Sequence, residues 1–250
     1  MKIRLLLILL VCSICMFSCK KAPICVGETV THTRQLQDFH RIKIYDDISL
    51  TFVKSDTCYI EITTGENLID NITTDISDST LCIRNENSLN WIRPYDYTLH
   101  AKLYFKEIDL VYLSTAGYVD SENQFNNDFS QNTFIIEGAS GDLNILINNC
   151  KHLFLEYKYG TSKVSFRGNQ NDYFKIRKKS YGIVDARDYE AERVNIVNSS
   201  SGDCYIHANN EIISEINNLG DIYYKGNPAN ITETYGPIAR GRLIPLRLTQ

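Results

Sequence analysis

After residue 18 this chain holds no apolar stretch near the roughly eighteen residues that a membrane helix requires, so no later segment is expected to span a bilayer as a helix. It has no excess of positive charge either. Lysine and arginine number 26 against 30 aspartates and glutamates, a formal net charge of −4, which argues against a nucleic-acid partner. Enzyme signatures are missing too: there is no Gly-x-Ser-x-Gly elbow, no phosphate-cradling loop and no dinucleotide fingerprint. The histidines His32, His40, His100, His152 and His207 lie too far apart in sequence to offer ligand spacing, and each is expected on a strand or loop surface. No window carries a sustained helical stripe. Asn-Gly and Asp-Gly pairs, the strongest short hairpin signals, do not occur.

What is present begins with an address. Lys2 and Arg4 form a positive start, and Leu5 to Val11 an apolar run too short to cross a bilayer, as in a cleaved export signal over residues 1–18. The run ends at Met16-Phe17-Ser18-Cys19, which resembles the lipobox of bacterial lipoproteins. That resemblance implies cleavage before Cys19 and acylation of its sulfur and amine, hence attachment to a membrane through a lipid anchor. Residues 19–30 lack periodicity and read as a tether. Surface-exposed lipoproteins of this kind tend to carry acidic residues after the cysteine. Lys20-Lys21-Ala22 instead favours an outer-membrane lipoprotein facing the periplasm over one at the cell surface.

Five cysteines remain beyond the anchor: Cys25, Cys58, Cys82, Cys150 and Cys204. Cys58 alternates with Ile60 and Ile62, whereas Cys82 is out of phase with Leu81 and Ile83, so the two should face opposite ways. Buried free thiols are expected, with Cys150 and Cys204 the remaining candidate for a bridge. No two are close enough in sequence to suggest a metal site.

Apolar residues step by two through Ile42 and Ile44, Leu50 and Phe52, Cys58 to Ile62, Leu81 and Ile83, and Leu99 to Phe105, the pattern of short half-buried strands. Only Glu66 to Ile76 admits a helical turn. From residue 117 a glycine returns at Gly117, Gly141, Gly160, Gly182, Gly202, Gly220 and Gly236, spaced by 24, 19, 22, 20, 18 and 16 residues. A period in this range marks stacked repeats. Twenty extended residues make a circuit of roughly 66 Å, suited to a flattened or three-sided coil whose layers stack ~4.8 Å apart. Glycine suits the corners by accepting positive φ. An antiparallel sandwich or propeller is the alternative, and it needs tight two-residue hairpins. The expected organisation is an N-terminal strand-rich region over residues 31–116 that starts and caps the stack, a repetitive coil over 117–240 and a tail over 241–250.

Several segments carry a family resemblance. They are Gly27-Glu28 with Arg34, Phe39, His40, Ile42 and Ile44; Glu66-Asn67-Leu68-Ile69; Asn90-Trp91-Ile92-Arg93; and Gly220-Asp221-Ile222-Tyr223-Tyr224-Lys225-Gly226-Asn227-Pro228. Together they resemble the DUF2807 family of auto-transporter adhesin head (GIN) domains, common in Bacteroidetes lipoproteins, over roughly residues 27 to 236. The resemblance implies an all-β, right-handed parallel β-helix (a solenoid), an extracytoplasmic location and no established catalytic residues. The family's Gly-Ser-Gly turns appear here as Ala116-Gly117-Tyr118, Ser140-Gly141-Asp142 and Ser180-Tyr181-Gly182.

Two sets of residues are candidate sites. Asp142, Asp203 and Asp221 each follow a turn glycine; a stack of them along one edge would bind calcium weakly, although Gly-Asp is also an ordinary turn pair and no other cofactor is expected. Tyr157, Tyr159, Tyr181, Tyr205 and Tyr223 are candidate binding-surface aromatics for a glycan or an envelope protein. A non-catalytic, adhesion-like binding domain is the expected role. A polysaccharide-acting β-helix enzyme and a structural envelope spacer are the alternatives.

Overall fold

The computed structural model describes residues 25–90, 93 and 97–246. The expected signal peptide, Cys19, the first half of the tether, and Trp91 and Ile92 lie outside the described residues. The strands begin with β1 (Thr29–Gln35), β2 (Arg41–Asp46), β3 (Ser49–Lys54), β4 (Tyr59–Gly65), β5 (Ile72–Ser77) and β6 (Thr80–Asn85). Next come β7 (His100–Phe105), β8 (Leu110–Thr115), β9 (Val119–Ser121), β10 (Gln131–Ala139), β11 (Leu143–Leu146) and β12 (His152–Gly160). The last are β13 (Val164–Lys178), β14 (Val184–Asn198), β15 (Cys204–Ile216), β16 (Ile222–Lys225), β17 (Asn230–Tyr235) and β18 (Leu243–Pro245). A 3-10 turn at Ile69–Asn71 lies where the sequence allowed a helical one. As the first strand starts at Thr29, the last two residues assigned to the tether already pair with β4.

The chain winds into a β-solenoid of about 6 turns, 60% strand and 2% helix. Its layers form two stacks. The first runs β5, β6, β2, β8, β10, β12, the second halves of β13, β14 and β15, then β17. The second runs β1, β4, β7, β3, β9, β11, the first halves of β13, β14 and β15, then β16 and β18. From β6 and β7 onward every neighbour is parallel, as the repeat period requires. Side chains alternate in and out along each strand, so equivalent residues of successive layers meet in columns. One buried column reads Ala101, Leu50, Val119, Leu143, Val164, Val184, Cys204 and Ile222. Up the middle runs a string of ring contacts from Phe105 through Phe52, Phe125, Phe134, Phe166 and Phe174 to Tyr189.

The corner glycines stack on one another for a different reason from the one expected. A Cβ on Gly141 would lie 2.0 Å from the Gly117 carbonyl oxygen, one on Gly220 2.2 Å from that of Gly202, and one on Gly241 2.2 Å from that of Gly220. Close approach between layers, not positive φ, excludes a side chain there. Gly160 has φ +139° but packs on Ala139, and Gly236 packs on Asn217; Ser162 and Gly241 fill the corresponding corners.

The N-terminal region does not wind in sequence order. Layer β2–β3 lies between layer β6–β7 and layer β8–β9, so after β1 at the outer end the chain begins the parallel coil further in, turns back through β4 to β7 to build the end of the stack, and then passes over β2–β3 with β8–β9. Going back needs antiparallel strands. The β5–β6 hairpin closes on Asp78 and Ser79, with φ +49° and +56°, so a tight hairpin forms here without the Asn-Gly or Asp-Gly pair that normally announces one. Arg34 on β1 reaches across the open end of the coil and donates to the carbonyls of Ile72 and, at 2.9 Å, Ile69. It clasps the outermost strands of the two stacks together. All five cysteines are free, so Cys150 and Cys204 are not bridged, and burial pushes the Cys204 thiol up to about 12. His207, expected at the surface, is buried where β15 bends.

Candidate binding surface

Each of the three candidate aspartates uses a carboxylate oxygen on the backbone of the following layer. Asp142 accepts from the Lys163 N–H at 2.9 Å, Asp203 from the Asp221 N–H at 2.9 Å, and Asp221 from the Arg242 N–H at 2.8 Å. All three share one edge column, but the strand registers give its order as Asp142, Lys163, Ile183, Asp203, Asp221 and Arg242. Asp142 is thus three layers, ~14 Å, from Asp203. The three carboxylates do not converge, and among the described residues no group of three or more His, Cys, Asp or Glu is placed to hold a metal ion. The aspartates act as rungs between layers.

The tyrosines divide. Tyr157 is not a surface residue: it is fully buried and donates to the Ser162 carbonyl at 2.9 Å, beneath a corner. Its alternation with the buried Leu153 and Leu155 was the signal for this. Tyr159 escapes the same fate because the β10–β12 register shifts after Tyr157, leaving it 56% exposed with its hydroxyl 3.1 Å from Glu137. Tyr181 stands on a corner at 77% exposure. Tyr205 and Tyr223 occupy register-matched positions on the outer face of the second stack, with rings stacked at 5.0 Å and 13°. The Arg187 guanidinium lies 4.7 Å from the Tyr205 centroid, on a layer adjacent to β15, and the Tyr223 hydroxyl donates to Asp221 at 3.2 Å.

A polar groove of about 340 Å³ adjoins this ladder on the same face, lined by Asp142, Asn144, Lys163, Ser165, Arg167, Asp185 and Asp188 among others. Asp185 organises it. Arg187 grips its carboxylate with two hydrogen bonds of 2.8 and 2.7 Å, and Lys163 sits at 3.1 Å. These donors, Arg187 first, hold the Asp185 carboxyl down at about 2. In sequence Asp185, Arg187 and Asp188 lie within four positions of one another, the spacing of an ordinary surface ion pair. Nothing local points to Lys163, twenty-odd residues away, because only the coil period brings it alongside.

Beneath the corners lies a second polar group with no outlet to solvent. The Lys178 ammonium is buried and donates to the Ser200 hydroxyl at 2.7 Å and to the Gly202 carbonyl at 2.6 Å. Asn198, its partner one layer on, donates to the Gly202 and Gly220 carbonyls, each at 3.1 Å. Burial lowers the Lys178 pKa. With Tyr157, these side chains satisfy corner carbonyls that face the interior.

The solenoid fold has relatives. Residues 38–228 match the family described as "Putative auto-transporter adhesin, head GIN domain", DUF2807. The chain belongs to this family. Its solenoid is similar to the crystal structure of a putative adhesin from Bacteroides fragilis, with a TM-score of 0.77 and 17% identity over 88% of this chain and 97% of that one. It is also similar to a putative lipid binding protein from Parabacteroides distasonis (TM-score 0.65, 18% identity, 88% and 98% covered). A putative adhesin from Parabacteroides merdae (TM-score 0.57, 18% identity, 88% and 97% covered) is a third. At these identities the likeness concerns the fold. No curated protein matches. Among the described residues no helix is long and apolar enough to cross a membrane.

Proposed function

We propose that this GIN-domain chain is a non-catalytic, adhesion-like binding module, held by an acylated Cys19 at the periplasmic face of the outer membrane. Its ligand contacts the outer face of the second stack. The observation that carries this reading is the preset array there: the Arg187–Tyr205–Tyr223 ladder and, in the adjoining groove, the Asp185 carboxylate already held by Arg187 and Lys163. Side chains fixed before binding lose little conformational freedom when a ligand arrives. Because the ladder's ring faces are turned on one another, it offers ring edges and hydroxyls. That suits packing by an envelope protein better than stacking by a sugar ring.

The test is in-cell crosslinking of the full-length chain followed by identification of its partners, beside a glycan array. A partner whose yield falls at least tenfold in Y205A/Y223A supports the reading. A partner retained by that variant, or no partner and no glycan, favours the spacer role instead. Replacement of Cys19 by serine is expected to abolish incorporation of a labelled fatty acid. Protease treatment of intact cells is expected to leave the chain uncut, and its removal would place it at the cell surface.

A further inference from the structure

The outer face of the first stack carries a different array, which the ladder and groove do not involve. Strand registers set nine side chains in a grid: His152, Phe154 and Glu156 on β12; Tyr173, Lys175 and Arg177 on β13; Arg193, Asn195 and Val197 on β14. Neighbouring strands are ~4.8 Å apart, and side chains on the same face of one strand ~6.7 Å apart. The cations lie across the aromatic rings. Lys175 Nζ is 5.9 Å and Arg177 Cζ 5.8 Å from the Phe154 centroid, and Arg193 Cζ is 5.5 Å from that of Tyr173. His152 packs edge-on against Tyr173 at 5.8 Å.

Three cations so placed would ordinarily be neutralised in a chain whose net charge is −4. Here they are not. Glu156 stands opposite Arg177 in register and Glu211 opposite Arg193, yet no ion pair among the described residues includes Lys175, Arg177 or Arg193. Lys179, just past the end of β13, extends the positive strip and is exposed, whereas Lys178 between them points into the core. The densest basic run in the sequence is therefore split by strand alternation into an outward cationic row and one interior amine.

We propose that this grid is a binding site for a linear acidic polysaccharide, a chain bearing carboxylate or sulfate groups, lying along β13. Arg177 and Arg193 each present a planar fork for an anionic group, and Lys175 between them supplies a point contact at separations of ~7–8 Å from either. Asn195 and the half-buried Tyr173 lie between them, where a glycan offers hydroxyls. This alternation of charge with neutral hydrogen-bonding groups is the reason for choosing a glycan over two other polyanions. A nucleic acid carries one charge per ~1.7 Å and asks for a denser cationic surface. An anionic membrane contributes only ~1 kcal/mol per nearby cation and offers nothing to Asn195, while three glutamates in or beside the field, Glu156, Glu211 and Glu215 opposite Val197, oppose a uniform negative surface.

The experiment measures binding of the full chain, in detergent micelles, to immobilised polygalacturonate, dextran sulfate and neutral dextran. At least one acidic polymer is expected to bind, dextran not, with affinity falling as salt rises. K175Q/R177Q/R193Q is expected to weaken binding at least tenfold and E156Q to strengthen it several-fold, while Y205A/Y223A leaves it unchanged. That last control separates this site from the one proposed above. Binding unaffected by the triple substitution, or no preference for acidic polymers over dextran, overturns the proposal. Tighter binding to phosphatidylglycerol vesicles or to single-stranded DNA overturns it in favour of that ligand. If the triple variant does not fold, E156Q decides: a gain in affinity supports the site, and no gain rejects it.

Discussion

Lys178 sits where an apolar residue would be expected, in a column between Tyr157 and Asn198 under the corners. Its methylenes fill the interior, while its ammonium satisfies Ser200 and the Gly202 carbonyl. A buried cation without a carboxylate partner contributes little net stability, because desolvation opposes its hydrogen bonds. Lys178→Met keeps the volume and removes the charge, and the Gly202 carbonyl still receives the Asn198 amide. Its cost is expected to stay within ~1 kcal/mol. Lys178→Ala opens a cavity as well and should cost ~2–4 kcal/mol by urea denaturation. Equal costs for the two would mean that the amine's bonds matter more than its packing. On the outer face, Asp185 gives a pH signature. Its carboxyl titrates near 2 in the folded chain and at ~3.9 when unfolded, so its contribution is complete above about pH 4 and disappears as pH falls through 2. Denaturant titrations between pH 4 and 2 should therefore show a shallower loss of stability in D185N than in the parent chain.

The corner is the element on which the coil depends. Serine or threonine two residues before a corner glycine caps it: the Gly117 N–H donates to the Thr115 hydroxyl at 3.0 Å and the Gly202 N–H to the Ser200 hydroxyl at 3.3 Å. At Gly202 a Cβ would meet the Tyr181 carbonyl at 2.3 Å and the Lys178 ammonium at 2.8 Å. Gly202→Ala must push two layers apart, and a loss of ~1–3 kcal/mol or more is expected in urea denaturation. Gly236 lies off this ladder, yet a Cβ there would still come 2.4 Å from the Asn217 side-chain oxygen, the end of a movable side chain. G236A is expected to cost less than G202A, and the reverse order would show that the ladder is not what the glycines serve. This is also the scale at which the sequence was most readable. A return every twenty residues or so, with alternating apolar runs between, specified parallel layers and their inward faces. It did not reveal why glycine is needed, since a clash with a neighbouring layer involves residues some twenty positions away. Tyr157 was legible from its phase with Leu153 and Leu155, and was misassigned by grouping it with Tyr205 and Tyr223, which have the opposite phase, and with Tyr159, which shares its phase and is exposed only by a register shift. Asp142 and Asp203 looked alike because a shared turn pair says nothing about the layers between them.

At the level of the whole molecule, the order of the layers was hidden from the sequence. Strand patterning says which face of β2 and β3 is apolar, but nothing local tells whether the next layer lies above or below them. The two ends of the stack then meet solvent differently. At the N-terminal end the Arg34 clasp ties β1 to β5. At the other end, β17 continues the inward columns with Ile231, Glu233 and Tyr235, and all six of its residues are exposed. An exposed terminal strand is a template for pairing with a second chain. Glu233 opposes this: a two-fold antiparallel pairing centred on it matches Ile231 with Tyr235, but sets two Glu233 carboxylates opposite one another on the face that would otherwise be apolar. Like charges directly opposite are destabilising, and an inward-pointing charge on an edge is a recognised guard against such pairing. Glu233→Val leaves an Ile-Val-Tyr column on an unpaired strand. The variant is expected to self-associate more strongly than the parent chain in size-exclusion chromatography with light scattering, while its far-UV circular dichroism stays the same. An unchanged mass would assign the guard to another feature of this end, with Pro245 on the neighbouring β18 the first to test, since proline removes a donor from that edge.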